Sequence, residues 1–363
     1  MSKNLSLNIE QIKKDKDGLD VLSDIFIYAV LGERVSEADL IRFQWYGIHA
    51  QGRDQKGDYF KLKIPLSLGE LNLEQIKALS KISKEYANDS LDFTKSQKIE
   101  FSWLRIYDLP AVFNILHAVE LSTTFESGHN VRNIILNCVN KEQLTDISEI
   151  TNKLNDTFRG NKNFSNLPNK LQIAISGCAR KAVENNTHDV NFDAVKNDKD
   201  KILFSVKIIG THVGYITISQ IIPMAKAIAK IYRDYGNREN EEQSDFASLI
   251  KQWGHDKFYD LLESSVSFRI KSLLIETNEN NNKIEYFGIK ESKVEGQSYI
   301  GCKLESLQIG SSGLDTLSSL LEKYNASKIQ ITTFGNMIII DAPTNKAKQF
   351  AEDLQKVNFN PFA

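Results

Sequence analysis

An internal repeat is the feature of this sequence that most limits its possible folds. The first copy contains Tyr86, Leu91, Phe93 and Thr94, and the second contains Tyr324, Ile329, Ile331 and Thr332 at identical spacing. The same offset matches apolar positions upstream, from Leu79 and Leu317, and downstream, as far as Leu116 and Leu354. Chance rarely preserves one register across two helices and the strands between them. The chain is therefore predicted to contain one small fold twice.

Each copy is predicted to run strand, helix, strand, strand, helix. Residues 59–64 are mostly aromatic or apolar at alternate positions, which is typical of a strand. Asn72, with Gln75 three residues later, predicts a capped helix start. Residues 98–103 alternate polar and apolar side chains, as a half-buried strand does. Pro110 is placed where a second helix would begin.

A different, larger domain is predicted between the copies. Strands are expected at 134–136, 171–175 and 202–209, and helices at 141–158 and 222–235. The polar stretch 185–200 predicts a surface loop. The predicted divisions are an N-terminal arm at 1–38, a first half-domain at 39–125, the larger domain at 126–277, a linker at 278–283 and a second half-domain at 284–363. The fold class is therefore predicted to be α+β.

Composition restricts the partners. The chain has 363 residues and a net charge of −2, so no bulk positive charge would attract nucleic acid or an anionic membrane. The N-terminal residues carry charges and lack the apolar core of a signal peptide. The sequence predicts a cytoplasmic protein that contacts neither nucleic acid nor membrane.

Cysteine and histidine usage argues against a metal site. Cys138, Cys178 and Cys302 are far apart and lack the spacing of cluster ligands, so we expect three reduced, mostly buried thiols. The six histidines form no His-x-x-x-His pair. No metal ligands are assigned, and no catalytic residue is identified with certainty.

Six short segments, taken in order, resemble the siroheme-dependent sulfite and nitrite reductases. They are residues 42–47 (Arg-Phe-Gln-Trp-Tyr-Gly), 59–65, 91–103, 128–138, 166–177 and 235–239. The resemblance covers residues 40–363 and implies two ferredoxin-like repeats that flank a siroheme-reductase-type domain. It also implies that the two repeats pair about a pseudo-two-fold axis. The family's Cys-x5-Cys and Cys-x3-Cys ligands are missing, so the chain is expected to correspond to the N-terminal three-quarters, without the cluster-binding domain.

The resemblance implies a set of substrate-binding residues. Arg132 is placed at the family's anion-contacting arginine, and Lys170 at the first of two lysines. Lys61 replaces an arginine and keeps its charge without the planar fork, whereas Gln172 replaces the second lysine and is neutral. These four residues are predicted to bind sulfite or nitrite, and Arg132, Lys170 and Lys61 are expected to line one cleft.

The positions that bind siroheme in the family also differ in this sequence. Ser96 stands where the family has an arginine for siroheme carboxylates, and Asn169 also replaces an arginine. The residues predicted to contact siroheme are Lys63, Ser96, Gln97, Asn130, Asn133 and Arg238. Siroheme is expected as a possible cofactor, and a 4Fe-4S cluster is not expected on this chain alone. Each lost charge-assisted contact removes about 1.5–3 kcal/mol of binding.

Ordinary structural roles are open for several of these residues. Lys61 and Lys63 alternate with apolar neighbours, so a solvated strand face explains them as well as an anion site does. His129 is a candidate proton donor, but a structural histidine is the stronger interpretation. Trp45 and Trp103 are expected in the core rather than against a cofactor.

Three functions follow from the resemblance. In the first, the chain would be part of a siroheme oxidoreductase that reduces sulfite to sulfide or nitrite to ammonia, with a second polypeptide supplying the cluster domain. Alternatively, it is a non-catalytic tetrapyrrole-binding or scaffold protein derived from the family, or an inactive remnant. The sequence does not choose between sulfite and nitrite, and it does not identify the electron donor or the oligomeric state.

Overall fold

The computed structural model describes residues 8–55, 57–137, 143–178, 188–272 and 287–362. The predicted linker, 278–283, lies outside the described residues. The predicted domain boundaries stay predictions, because the strands and helices below do not by themselves define them.

The N-terminal arm consists of helices. They are α1 (Ile9–Asp15), α2 (Leu22–Leu31) and α3 (Glu37–Phe43). Side chains that precede two of them cap their free N–H groups: Asn8 accepts from Gln11 N, and Ser36 accepts from Asp39 N. α2 ends at Gly32, whose positive φ of 66° suits a glycine.

The first repeat has the predicted elements in the predicted order, with two extra strands, one at its start and a short one before its first helix. Its elements are β1 (Ile48–Asp54), β2 (Gly57–Pro65), β3 (Glu70–Asn72), α4 (Leu73–Tyr86), β4 (Asp92–Thr94), β5 (Lys98–Leu104) and α5 (Leu109–Ala118). The sheet is antiparallel in the order β1-β2-β5-β4. Phe60, Leu62 and Ile64 are fully buried, so β2 turns its alternate residues toward the other face.

The larger domain contains a five-stranded mixed sheet with helices packed on it. Its elements are β6 (Ile135–Asn137), α6 (Ser148–Phe158), β7 (Ile173–Ser176), β8 (Val190–Lys196), β9 (Ile202–Ile208), β10 (Thr211–Ile216), α7 (Ile221–Tyr235), α8 (Phe246–Trp253) and α9 (His255–Ser265). The strand order is β10-β9-β8-β7-β6, with parallel pairs at the β6 end.

Two predictions for this domain were wrong. The expected loop at 185–200 contains β8, in which Val190, Phe192 and Ala194 are buried between polar neighbours. The polar composition of the whole stretch concealed this short alternation. The helix expected from 141 begins only at Ser148, whose backbone N–H is bound by the Asp146 side chain.

The second repeat reproduces the first. Its elements are β11 (Gly288–Glu291), β12 (Gln297–Leu304), α10 (Ser311–Tyr324), β13 (Lys328–Ile331), β14 (Asn336–Pro343), α11 (Ala347–Gln355) and the short β15 (Phe359–Asn360). The strand order β11-β12-β14-β13 matches that of the first sheet.

The two repeats pair about a pseudo-two-fold axis. β3 of the first repeat adds to the second sheet by pairing with β13, where Glu70 lies opposite Gln330. The counterpart is a bridge between Asp92 and Gln308, at positions shifted by the offset of the sequence repeat. The buried apolar residues of both repeats form one core, and the larger domain has its own. The predicted α+β fold and the contact between like-ordered repeats are confirmed.

The cysteine expectation was only partly correct. Cys302 is buried and carries a free thiol, but Cys178 is disulfide-bonded, so the expectation of a reduced thiol is wrong for it. Cys138 lies outside the described residues. Within the described ranges, no helix combines the length and the apolar character needed to cross a membrane.

Asp89 offers a test of the repeat interface. Its Oδ1 accepts a 2.7 Å hydrogen bond from the backbone N–H of Ser311 and so caps α10 of the other repeat, where Gly310 provides no side-chain cap. Asp89→Gly suits the local φ of 57° but removes the cap. We expect a loss of about 1 kcal/mol in the free energy of unfolding, measured with urea.

The hydrogen bond from the backbone N–H of Ser311 also holds the pKa of the Asp89 carboxyl below its ordinary value. The contribution of Asp89 is therefore complete above the unfolded-state pKa and is lost as pH falls through the lower folded-state pKa. Asp89→Asn should keep most of the cap and lose this pH dependence. Asp198→Ala, in an exposed loop, is the control. A Gly variant as stable as the wild type would show that the cap contributes nothing.

Candidate functional site

A row of charged side chains lies on the face of the first sheet opposite the apolar core. Lys61 and Lys63 alternate with buried residues in β2, and Lys63 lies opposite Glu100 of β5. The Glu100 carboxylate accepts from Lys61 Nζ at 2.5 Å and lies 3.8 Å from Lys63 Nζ. Lys98, two residues before Glu100, lies on the same face by strand alternation.

Arg132 approaches this face from the larger domain. Its Nη1 donates to Asn130 Oδ1 at 2.9 Å, and Asn130 Nδ2 donates to the Ser127 carbonyl at 2.6 Å. Asn130 is fully buried and therefore holds the guanidinium in one orientation. Burial lowers the pKa of Arg132 to about 10, and Glu126 opposes this shift, so the side chain stays charged at neutral pH.

Glu126 joins the charges of the two domains. Its side chain has no exposed surface and is ion-paired with Lys98. Burial raises the pKa of Glu126, while Lys98, Arg132 and Lys63 oppose the shift. Arg132 and two lysines of the first sheet thus surround one carboxylate. We call Lys61, Lys63, Lys98 and Arg132, with Glu100 and Glu126, the cation cluster.

His49 borders the cation cluster. It lies opposite Lys61 in the β1–β2 pair, and its Nε2 is 2.8 Å from Ser127 Oγ. Burial, aided by the positive charge of Lys63, lowers the pKa of His49 to about 4. The ring is therefore neutral at pH 7 and adds no charge to the site.

Lys170 and Gln172 lie beside the Arg132 segment. Val131 bridges Leu171 in parallel, and both of these side chains are buried. Their neighbours Arg132, Lys170 and Gln172 should therefore point to the opposite side, by the alternation of extended backbone. Lys170 is exposed.

Asp189 borders this pair of residues. Its Oδ2 accepts from Gln172 N at 2.8 Å, and burial raises its pKa to about 6 although Lys170 opposes the shift. The structure thus brings Lys63, Lys98 and Arg132 around Glu126, and it places Lys61 beside Glu100. Lys170 and Gln172 lie on the adjoining segment.

Gln97 and Asn133 direct their amides to protein groups. Gln97 Nε2 donates to the Ile331 carbonyl at 3.1 Å, and its Oε1 accepts from Leu136 N at 3.0 Å. Asn133 Nδ2 donates to the Leu66 carbonyl and its Oδ1 accepts from Arg159. Ser96 is exposed in the turn before Gln97. Their predicted cofactor contacts stay predictions, whereas their structural bonds join domains.

Arg238 is engaged by the N-terminal arm. Its Nη1 donates to Glu10 Oε2 at 2.9 Å and to Asn166 Oδ1 at 3.1 Å. Lys13 is buried, ion-paired with Glu10, and donates to the Leu167 carbonyl at 2.8 Å. A cavity of about 300 Å³ adjoins these groups and is lined by both Glu10 and Arg238. The arm thus contacts the 166–174 segment through charged groups.

The structure supports the structural roles expected for His129 and Trp45 but not the buried position expected for Trp103. His129 stacks on Trp45 with ring centres 6.0 Å apart, and burial lowers the pKa of His129 to about 4, which supports a structural role. Trp45 is buried and its indole N–H donates to the Ser165 carbonyl, as a core residue should. Trp103 was expected in the core but is exposed, because its φ of +68° turns the side chain out of the strand alternation.

Sequence reasoning missed part of the cation cluster. Lys98 and Glu100 were recognised only as polar positions of a strand, although their alternation with Ile99 and Phe101 already placed them on the face of Lys61. Glu126 gave no signal, because a single glutamate before a motif is uninformative. Its role depends on the packing of two domains.

The expected cofactors can be compared with the side chains present. A 4Fe-4S cluster takes four thiolates. The chain has three cysteines, of which Cys178 is disulfide-bonded and Cys302 is buried in the second repeat, so this donor set does not fit a cluster. The cation cluster, with four cations around two carboxylates, has the charge to hold carboxylates of siroheme.

Lys98→Met should make stability depend on pH. Without Lys98, the already raised pKa of buried Glu126 rises further, so the folded state keeps a proton that the unfolded state releases. Stability is then greatest below the unfolded-state pKa and falls as pH rises through the folded-state pKa. We expect a loss of about 3 kcal/mol at pH 8 and a smaller loss at pH 5 in urea unfolding.

The double variant Lys98→Met/Glu126→Gln should regain much of this loss at pH 8. Lys207→Met is the matched control, because Lys207 also pairs with one carboxylate, Asp193, but both groups are partly exposed. Its effect should stay below about 1 kcal/mol. If Lys98→Met and Lys207→Met gave equal losses at both pH values, the buried pairing would be refuted.

Comparison with known proteins identifies the family. A family model described as "Nitrite and sulphite reductase 4Fe-4S domain" matches residues 127–270, and one described as "Nitrite/Sulfite reductase ferredoxin-like half domain" matches 51–119. The ferredoxin–nitrite reductase of Leptolyngbya laminosa is 27% identical over 349 residues, 90% of this chain and 68% of that protein. The sulfite reductase (ferredoxin) of Mycobacterium tuberculosis is 26% identical over 368 residues, 92% and 65% respectively.

The solved structure of Mycobacterium tuberculosis NirA has the same fold. It matches with a TM-score of 0.87 at 22% identity and covers 98% of this chain and 70% of NirA. The chain thus spans about two thirds of the length of the relatives it matches. The two matched models, the relatives and the fold agree, and the chain belongs to the nitrite and sulfite reductase family.

Proposed function

We propose that this chain forms the anion-binding and siroheme-carboxylate-binding part of a sulfite or nitrite reductase. The observation that carries the proposal is the convergence of Arg132, Lys63 and Lys98 on Glu126 at the junction of the first repeat and the larger domain. Lys61 adjoins them through Glu100, which it shares with Lys63. By resemblance, two of the family's substrate-binding positions are Lys61 and Arg132. Membership of the family supports the reaction class.

The charge balance of the cation cluster favours an anion. Lys61 and Lys63 share Glu100, and Lys98 is paired with Glu126. Arg132 has a neutral hydrogen-bond partner in Asn130. Asp92 lies opposite Glu100 and is attracted to Lys61, so three carboxylates in all face the four cations. One positive charge is left over, which a small anion would neutralise. Partial burial strengthens this attraction relative to bulk water.

The roles of the residues follow from their geometry. Bound siroheme would supply the iron at which the anion is reduced. Arg132, held by Asn130, would orient the anion through its planar donors, and Lys61 and Lys63 would add point charges. Lys98 has a pKa lowered by burial, which makes its proton easier to release than that of an exposed lysine. His49 would stay neutral throughout.

The remaining parts of the proposal concern partners. Because the cysteines do not fit a cluster, we propose that a second polypeptide carries the cluster domain in an active complex. Sulfite and nitrite are both compatible with the cation cluster. The cytoplasmic location stays a prediction.

A non-catalytic relative that binds a tetrapyrrole, or acts as a scaffold, is the alternative. It is favoured by the engagement of Arg238 with Glu10, which uses a predicted cofactor contact within the protein. The mismatch between the cysteines and a cluster also favours it.

Anion binding tests the proposal directly. Arg132→Met should weaken the binding of sulfite and nitrite by about 10- to 100-fold in calorimetric titration, because a charge-assisted contact contributes about 1.5–3 kcal/mol. Lys61→Met should have a smaller effect. Lys207→Met, a strand lysine paired with Asp193 outside the site, is the control. Equal affinities for all variants would contradict the assignment.

Activity should depend on a cluster that this chain does not hold alone. We expect the isolated protein, supplied with siroheme and reduced methyl viologen, to produce neither sulfide nor ammonia. The reason is that three cysteines, one of them in a disulfide, do not provide the four thiolates. Sustained product formation, abolished by Arg132→Met, would show that the chain is a complete reductase.

A further inference from the structure

Trp103 is an exposed aromatic residue in a strained backbone conformation. Its φ is +68° and its exposed fraction is 45%, and it is the last residue but one of β5. The β2–β5 register shifts between Phe60 and Leu62, so Ser102 and Trp103 together lie opposite Lys61. A bulge of this kind redirects a side chain, and a positive φ in a bulky residue costs about 1–3 kcal/mol.

Neighbouring groups hold Trp103 in this conformation. Its backbone N–H donates to Gln51 Oε1 at 2.7 Å instead of to a neighbouring strand. Its indole packs edge-to-face on Tyr59 with ring centres 5.4 Å apart. Tyr59 is in turn packed against Arg105, whose guanidinium lies 3.4 Å from the Tyr59 ring centre. The exposed indole is therefore fixed before any ligand binds.

This aromatic pair continues the cation cluster. Tyr59, Lys61 and Lys63 are at alternate positions of β2 and share one face. Trp103 contacts Tyr59 on that face and lies opposite Lys61 across the strand pair. One surface therefore has a rigid aromatic end and a cationic end.

We propose that Trp103, supported by Tyr59, holds the ring of a planar polycarboxylate macrocycle whose carboxylates bind the cation cluster. This inference rests on the proposed function and adds residues that determine the affinity for the ring. Aromatic rings and conjugated macrocycles attract through their faces and edges, while carboxylates require cations. A ligand with both properties matches both ends of the surface.

A porphyrin titration tests the inference on the full chain. The probe is uroporphyrin III, a metal-free planar ring with many carboxylates, followed by its absorbance and by quenching of tryptophan emission. Trp103→Leu should weaken binding about tenfold, and Trp103→Phe should retain most of the affinity while losing quenching amplitude. Trp253→Leu is the matched control, because Trp253 also packs on a tyrosine, Tyr235, at 5.2 Å but lies in α8.

The outcomes separate the two proposals. If neither the wild type nor Arg132→Met binds uroporphyrin III, the proposed function fails. If the wild type binds and Trp103→Leu binds equally well, the role of Trp103 is refuted while the anion site stands. If Trp103→Leu loses its native circular dichroism, the affinity and the quenching amplitude of Trp103→Phe are compared with those of Trp253→Leu instead. That comparison then decides whether Trp103 contacts the ring. Unchanged quenching in Trp103→Phe would place the ring elsewhere and favour a protein-docking role for the aromatic pair.

Discussion

The side-chain amide of Gln97 is the contact on which the arrangement of the three parts depends. It belongs to the first repeat, donates to β13 of the second repeat, and accepts from β6 of the larger domain. Gly69 permits this approach, since a Cβ there would lie 2.6 Å from Gln97 Nε2 and its φ is +69°. Gln97 directly precedes β5, which carries Lys98 and Glu100. The same residue that joins the domains therefore fixes the strand that carries two of the six residues of the cation cluster.

Burial of like charges explains why the cation cluster contains two carboxylates. Three positive charges lie near one another in a partly dehydrated junction and would repel one another there. They belong to Arg132, Lys98 and Lys63. Glu126 and Glu100 offset that repulsion, which allows the domains to close with the cations in place. Because carboxylates do not fully neutralise the cations, the fold is stabilised and an attraction for anions is retained. The same residues thus determine stability and anion binding. Glu126 stabilises the fold, but it also reduces the positive charge that is left to attract an anion.

The sequence predicted the repeated architecture because the apolar periodicity of both copies is local and keeps one register. Its expectation that Lys61, Arg132 and Lys170 line one cleft came from resemblance rather than physics, and it stays a prediction. The sequence did not predict Glu126, Lys13 or the orientation of Trp103. Each of these depends on tertiary packing: a carboxylate enclosed by another domain, a lysine brought in by the arm, and a bulge that reverses strand alternation. β8 was missed because its buried residues are a minority within a polar stretch.

The most direct test of the central claim is to crystallise the protein and to locate an anion in it. Selenite has the shape and charge of sulfite, and selenium scatters anomalously, so a soaked crystal reports its position without ambiguity about water. The account predicts a selenium peak within hydrogen-bonding reach of Arg132 and of Lys61 or Lys63, and the loss of that peak in Arg132→Met. A peak elsewhere, or the same peak in the variant, would contradict the assignment of the cation cluster as the anion site.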